Sequence, residues 1–154
     1  MMIEKQENDD PFDRLDSSIK ALIPSSIDDV IRRQRQHFQL LLTTEEEIFD
    51  LYKTIWPVKP KDGIDNWNLI SLHYPIGHKV FLLGEVRSKR CPRITSDVTG
   101  IDLHKGFLTT HSGSLYQLGS KKNGPPNLVE LLLVCSTFHK WGFGAALGVP
   151  HFIL

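Results

Sequence analysis

Residues 94–119 read ITSDVTGIDLHKGFLTTHSGSLYQLG, and this stretch decides the fold class. Short runs rich in β-branched and aromatic residues alternate with turns that contain glycine, which is typical of an antiparallel meander. We predict strands over 98–103, 107–110 and 114–118. The turns between them fall at His104-Lys105-Gly106 and at Ser112-Gly113.

The same pattern extends upstream to about residue 68. Leu69–Tyr74 and Lys79–Val86 predict two more strands, divided by Pro75-Ile76-Gly77. About five short strands rarely leave both edges of a sheet open, so we expect a curled sheet or small barrel over 68–119. This rhythm of strands and turns is similar to that of SH3-like small barrels, over a stretch of about 50 residues.

Two helices are predicted ahead of the sheet, within residues 21–56. The first begins near Ser26, which is a good N-cap, and Asp29 in its first turn suits the positive end of the helix dipole. Apolar residues then recur at roughly helical spacing; they are Ile27, Val30, Ile31, Phe38, Leu41 and Leu42.

The second helix has the clearest start signal in the chain. Thr44 and Glu47 form a capping-box pattern, and the apolar stripe that follows consists of Ile48, Leu51, Tyr52 and Ile55. Two prolines soon end the helix, and residues 58–66 have the composition of a loop. We expect Trp67 to anchor the far end of that loop to the core.

A third helix is predicted over 127–141. Asn127 is its cap, Glu130 is the capping-box partner, and Gly142 follows its end. Its inner stripe comprises Leu128, Leu131, Leu132, Cys135 and Phe138. Because other sides of this helix are apolar too, it is either central to the fold or pairs with a second copy of the chain. The apolar, glycine-rich residues that follow are expected to pack on the core.

The sequence therefore predicts an α+β fold with two N-terminal helices, a small antiparallel sheet or SH3-like curled barrel, and a C-terminal helix packed on it. We assign residues 21–154 to one domain, with a helical part over 21–56, an antiparallel β part over 68–119 and a helix over 127–141. Residues 1–20 are acidic with few large apolar groups, which predicts a mobile segment.

The composition is that of a soluble globular protein, with 40% hydrophobic and 23% charged residues. Cys91 and Cys135 are too few for a disulfide framework, which favours reduced thiols and a cytoplasmic setting. The acidic start differs from a secretory signal peptide. The longest apolar run, Leu131–Cys135, is too short to cross a membrane, so we expect no membrane partner.

Charge is distributed unevenly, although the formal net charge of the chain is zero. Residues 1–54 carry 12 acidic and 7 basic side chains, a net charge of −5, whereas residues 73–122 carry 8 basic and 3 acidic ones, a net charge of +5. Such a dipole favours oriented docking on a charged partner.

The residues with metal-binding or catalytic side chains do not match a known motif. The seven histidines lie at 37, 73, 78, 104, 111, 139 and 151, and none of them forms an HxH or HxxxH pair on a predicted element, so we predict no metal and no cofactor. His111 lies among hydroxyls, but Ser112-Gly113-Ser114 reads as a hairpin turn. Cys91 in the basic run RSKRCPR is the candidate reactive thiol if the protein is an enzyme.

The basic loop over 87–93 is the strongest candidate site, because its cations match phosphate or carboxylate geometry. It contains Arg87, Lys89, Arg90 and Arg93, and Lys121 and Lys122 in a later loop are expected to join the same face. In a nucleic-acid complex, aromatic side chains on the sheet would stack on bases. The aromatic residues available for this are Tyr74, Phe81, Phe107 and Tyr116.

From these features we predict a non-catalytic adaptor or inhibitor that docks on a protein or nucleoprotein partner through its charged lobes. By class-level analogy, such proteins include those of phages and mobile elements. In this account the acidic N-terminal part contacts a basic surface or mimics phosphate. The alternatives are a nucleic-acid-binding small barrel that uses the basic loop, and an enzyme with a His/Ser or Cys site. A homo-oligomer through the 127–141 helix also stays open.

Overall fold

The computed structural model describes residues 21–56 and 58–152. This part of the chain folds into six strands and two α-helices. A short 3-10 turn, Ile27–Asp29, precedes them. In chain order the elements are β1 (Gln39–Leu42), α1 (Glu45–Asp50), β2 (Asp62–Tyr74), β3 (Gly77–Val86), β4 (Cys91–Asp102), β5 (Phe107–Thr110), β6 (Leu115–Leu118) and α2 (Leu128–Lys140). The mobile segment predicted over 1–20 lies outside the described residues.

Strands β2 to β6 close into a five-stranded barrel within this α+β fold. Each strand pairs antiparallel with the next, and β6 returns to pair parallel with the start of β2, with Tyr116 opposite Asp62. The second half of β2 extends past the barrel, where β1 joins its free edge. An irregularity between Asp65 and Asn68 divides the two halves of β2. The prediction of a small curled barrel is therefore confirmed.

Two strands, β2 and β4, begin earlier in the chain than the sequence predicts. β2 begins at Asp62, inside the predicted 58–66 loop, because its first residues pair with β6 and close the barrel. β4 begins at Cys91, opposite Val86 on β3, so the basic stretch over 87–93 is part turn and part strand. Gly84 on β3 is needed for space beside β2, since an added Cβ would lie 2.5 Å from Ile64 Cγ2.

The sheet separates two hydrophobic cores. On one face of β2 and β3, Ile70, Phe81 and Leu83 pack against α2 and the C-terminal segment. On the other face, the barrel interior is filled by Ile64, Leu69, Val80, Leu82, Val86, Val98, Ile101, Leu108 and Tyr116. Because strand side chains alternate between faces, one strand serves both cores.

The predicted first N-terminal helix is wrong. Its early apolar residues do join the core, since Ile27, Val30 and Ile31 are buried, but the helical geometry is limited to Ile27–Asp29. The later part forms β1 instead. Six polar residues, 32–37, separate Ile31 from Phe38. Such a gap interrupts the apolar stripe that a helix of this length needs.

Both remaining helices are present and both have complete capping boxes. α1 is capped by Thr44 and Glu47. It ends at Asp50, earlier than predicted, and Ile55 is buried in the segment that follows the helix. α2 is capped by Asn127 and Glu130. Its buried stripe is Leu131, Val134, Cys135 and Phe138, whereas Leu128 is half exposed. Neither helix could span a membrane, nor could any other among the described residues.

Trp67 anchors the start of the barrel as predicted. Its side chain is 6% exposed, and its Nε1 donates a hydrogen bond of 3.0 Å to the carbonyl of Gly119. The C-terminal segment also packs on the core, because Leu147 and Val149 are buried beside α2. The barrel, α2 and the C-terminal segment are therefore packed into one core structure.

Candidate functional site

Arg87, the first cation of the predicted basic loop, is bound by an acidic neighbour. Its Nε lies 3.1 Å from Asp65 Oδ2 and its Nη2 lies 3.0 Å from Asp65 Oδ1, a bidentate pair. This hydrogen bond, with the charge of Asp65, raises the pKa of the guanidinium, and Arg87 in turn holds the pKa of Asp65 low. The charge of Arg87 is therefore largely compensated within the chain.

The other cations of this stretch remain exposed. Lys89 and Arg90 lie in the turn between β3 and β4, and Arg93 lies on β4 opposite Gly84. Arg90 has a φ of 51°, and its N–H donates to the carbonyl of Val86. Among the described residues, none of these three side chains forms a salt bridge.

Lys121 and Lys122 do not extend the basic stretch. Lys122 Nζ lies 3.4 Å from Glu130 Oε1 at the start of α2, which compensates its charge. Lys121 Nζ lies 5.6 Å from the centre of the Trp67 ring and lines a groove beside α1. The six predicted site residues therefore do not form one uniform cationic face.

The aromatic side chains proposed for base stacking are mostly used by the fold. Phe81 and Tyr116 are 5% and 4% exposed and lie in opposite cores, while Tyr74 and Phe107 are half-buried. Side chains alternate between the two faces of a strand, and both faces of this sheet cover a core, so strand positions bury these rings. The aromatic residues that solvent reaches lie elsewhere.

The residues considered for nucleophilic catalysis form a turn. Ser112 Oγ lies 3.1 Å from both Ser96 Oγ and Thr110 Oγ1 and 3.4 Å from Ser114 Oγ. Within the described residues, the imidazole of His111 has no hydrogen bond to any of these hydroxyls. Cys91 is exposed, whereas burial raises the pKa of the Cys135 thiol to about 11.

A groove beside α1 carries large apolar side chains that are open to solvent. Its volume is about 450 Å³, and its lining residues are Glu45, Ile48, Phe49, Tyr52, Ile101, Leu103 and Lys121. Phe49 is 77% exposed, Tyr52 56% and Leu103 50%. We refer to this set as the α1 groove. Large apolar groups gathered on one surface mark an interaction site more often than scattered ones do.

Backbone contacts fix the walls of the α1 groove. Lys53 N–H donates to the carbonyl of Ile101, and Ile101 N–H donates to that of Leu51, so the end of α1 is joined to β4. The buried Asp102 accepts hydrogen bonds from the N–H groups of Ile55 and Lys105, each 3.1 Å long. The bond from Ile55 is the main cause that lowers the pKa of Asp102.

Charged side chains lie in the groove lining, which includes Glu45 and Lys121, and elsewhere on α1. Glu45, Glu46 and Asp50 are exposed on α1, and none of them forms an ion pair within the described residues. Beyond the helix, Trp56 is 79% exposed, and Lys105 Nζ lies 4.3 Å from the centre of its ring. The surface thus combines aromatic anchors with charges of both signs, since Lys121 and Lys105 lie beside the carboxylates of α1.

A second cavity, of about 500 Å³, lies between the sheet and the segment after α2. Its walls are largely aromatic, with Phe38, Tyr74, Phe81, Trp141 and Phe143 among them. Lys79 and Asp97 contribute charge at the same cavity. Its size and apolar lining are within the range of small-molecule pockets.

Two histidines and a glutamate meet on the inner side of α1. Glu47 Oε2 lies 2.9 Å from His73 Nε2 and 3.6 Å from His78 Nε2, and the two imidazole rings are stacked with centres 5.2 Å apart. Burial opposes ionisation of Glu47, but the hydrogen bond from the Thr44 N–H and the two imidazoles outweigh it and hold the pKa of the carboxyl below its ordinary value.

Sequence reasoning missed both the α1 groove and this cluster. A signal for the cluster was present, because a two-residue turn at Pro75-Ile76 places His73 directly opposite His78. That pair forms across a hairpin and therefore matches no metal-binding spacing within one strand or helix. The groove had a weaker signal in the aromatic residues around the predicted second helix.

Comparison of the chain with models of known protein families, with curated proteins and with solved structures finds no significant match.

Proposed function

We propose that the protein is a non-catalytic adaptor or inhibitor that docks on a protein partner through the α1 groove. The observation that carries the proposal is the gathering of Phe49, Tyr52 and Leu103, each at least half exposed, around one cavity. Aromatic side chains dominate the binding energy of protein interfaces when a partner buries them. Their exposure in the free chain favours such a role over packing within the fold.

The position of the groove supports docking without rearrangement. The backbone bonds of Lys53 and Ile101, together with the hydrogen bonds that the Asp102 carboxylate accepts, hold α1 and the turn after β4 in place before any partner binds. A preformed surface loses little conformational entropy on association, which leaves more of the contact energy as affinity.

The carboxylates on α1 support one kind of occupant, although Lys121 also lines the groove. Exposed carboxylates at Glu45, Glu46 and Asp50 complement a partner segment that carries Lys or Arg beside apolar side chains. We therefore propose that the occupant is a protein segment with apolar anchors and a basic flank. A basic surface that otherwise contacts nucleic acid would have this character, which fits an inhibitor that occupies such a surface.

Nucleic acid is the second candidate partner, and one observation favours it. Lys89, Arg90 and Arg93 remain exposed and without an ion pair among the described residues. Three cations provide a small electrostatic footprint, because phosphate contacts dominate such binding and most binders use more of them. The compensated charges of Arg87 and Lys122 reduce the footprint that the sequence predicted.

The test is a comparison of captured partners from the native cells with and without nuclease treatment. The bait proteins are the wild type, Phe49→Ser, and a triple variant with Lys89, Arg90 and Arg93 changed to Ala. Ile76→Ser is the matched control, because Ile76 is 92% exposed and lies in the β2–β3 turn, outside the groove. We expect a basic protein segment to be recovered by all except Phe49→Ser.

Two results would contradict this proposal. One is equal recovery of the partner by Phe49→Ser and Ile76→Ser, which would remove the groove from the interface. The other is a partner that disappears on nuclease treatment and with the triple variant, which would instead make the protein a nucleic-acid-binding module.

A further inference from the structure

We propose that Glu47, His73 and His78 bind a divalent transition-metal ion of the zinc type. One ligand atom from each of the three side chains lies within 4.8 Å of the other two. Two imidazoles with one carboxylate are a ligand set that zinc and its neighbours in the first transition series prefer. This site is separate from the outward-facing α1 groove, although both involve α1.

The distances between the ligand atoms suit a tetrahedral ion. Metal–ligand bonds of about 2.0–2.2 Å place two tetrahedral ligands about 3.3–3.6 Å apart. The observed distances from Glu47 Oε2 are 2.9 Å to His73 Nε2 and 3.6 Å to His78 Nε2. The two histidine ligand atoms lie within 4.8 Å of each other, so rotation of the side chains would bring the three atoms to this range.

A buried oxygen without a hydrogen bond points independently to a ligand. Glu47 is 7% exposed, and its Oε2 forms no hydrogen bond among the described residues, although His73 Nε2 lies 2.9 Å away. An unsatisfied carboxylate oxygen in such a place is costly. A bound cation would remove that cost.

The rest of the carboxylate is held firmly. Glu47 Oε1 accepts hydrogen bonds from Thr44 N–H at 2.9 Å, from Thr44 Oγ1 at 3.2 Å and from Ser71 Oγ at 3.3 Å. These contacts orient Oε2 towards the two imidazoles. Orientation of a ligand by outer contacts of this kind is typical of metal sites.

The hairpin fixes the two histidines in the same way. His73 and His78 are direct cross-strand partners next to the two-residue turn, so their side chains project from the same face of the β2–β3 pair. They are partly exposed, with 39% and 35% of each side chain accessible. The site therefore has three protein ligands and a side open to solvent, and a bound ion would join α1 to the hairpin.

The test is a titration of the tag-free, metal-free chain with Co²⁺ and with Zn²⁺. We expect one equivalent of Co²⁺ to bind with the visible absorption of a four- or five-coordinate ion, and Zn²⁺ to displace it. Binding to the folded state should also raise the midpoint of thermal unfolding by about 8 °C once the free metal reaches about 100 times Kd.

Three single variants locate the ligands. Glu47→Gln, His73→Asn and His78→Asn should each weaken Co²⁺ binding by about 100-fold or more, beyond the loss expected from an outer contact. His104→Asn is the control, since His104 is exposed and is not part of the cluster. Circular dichroism of the metal-free variants checks that each remains folded.

A measurement on the wild type keeps the test decisive if a variant fails to fold. Substoichiometric Zn²⁺ should shift the imidazole ¹⁵N resonances of His73 and His78 and leave those of the other five histidines in place. The proposal is overturned by binding only at millimolar metal, by shifts at other histidines, or by folded cluster variants that bind as tightly as His104→Asn.

Discussion

The carboxylate of Asp102 accepts a hydrogen bond of 3.1 Å from the backbone N–H of Ile55, which joins the end of β4 to the segment after α1. The same carboxylate accepts a second bond from Lys105 N–H in the β4–β5 turn. Leu103 and Trp56 are immediate neighbours of these bonded groups. One buried carboxylate thus sets the positions of exposed side chains from two separate parts of the chain.

Asp102 should make stability depend on pH. Its pKa is lower in the folded state, chiefly because of the Ile55 hydrogen bond, so its contribution is complete above the unfolded-state pKa of about 3.9 and is lost as pH falls through the lower folded value. We expect Asp102→Asn to be less stable than the wild type at pH 7, with a difference that shrinks towards pH 2. Urea unfolding at several pH values measures this; a difference independent of pH would contradict it.

The same substitution should destabilise the fold strongly at Phe138 and hardly at all at Phe49. Phe138 is fully buried, with its ring centre 4.8 Å from that of Phe143, so Phe138→Ala should lower the free energy of unfolding by about 3–5 kcal/mol. Phe49 is 77% exposed, and Phe49→Ala should change it by less than about 0.5 kcal/mol. Denaturant unfolding of both variants compares them directly. Similar losses would contradict the assignment of Phe49 to a free surface.

The two cysteines should differ in reactivity. Burial raises the pKa of Cys135 to about 11, so its reactive thiolate is scarce at pH 8, and its side chain is inaccessible as well. Cys91 is exposed. A thiol reagent should therefore modify one residue per folded chain and two after denaturation. Cys91→Ser should abolish the first reaction, and rapid modification of Cys135 in that folded variant would contradict the described core.

The parts of the fold that the sequence predicted have local signals. The capping boxes at Thr44 and Asn127 and the glycine turns at 106 and 113 all depend on neighbouring residues, and they set the helix starts and the meander. The closure of the barrel between β2 and β6 is a pairing across more than 50 residues of sequence. No local pattern indicates this pairing, so the sequence alone predicts a loop where β2 begins.

The incorrect first helix has a related cause. Leu40, Leu41 and Leu42 have spacing that a helix or a strand can use, and the free edge of β2 decides between them by pairing with β1. Tertiary contact thus overrides a weak helical pattern. The sequence also identifies the cations of the predicted site but not their acidic partners. Only folding brings Asp65 to Arg87 and Glu130 to Lys122.

The affinity of the partner recovered from cells is the most direct test of the docking proposal. Isothermal titration at physiological salt compares the wild type with Phe49→Ala and with the triple Ala variant of Lys89, Arg90 and Arg93. We predict that Phe49→Ala weakens binding by about 30-fold, the effect of an interface hot spot, and that the triple variant changes it by less than about threefold. Unchanged affinity for Phe49→Ala, with loss of binding in the triple variant, would contradict the α1 groove as the docking surface.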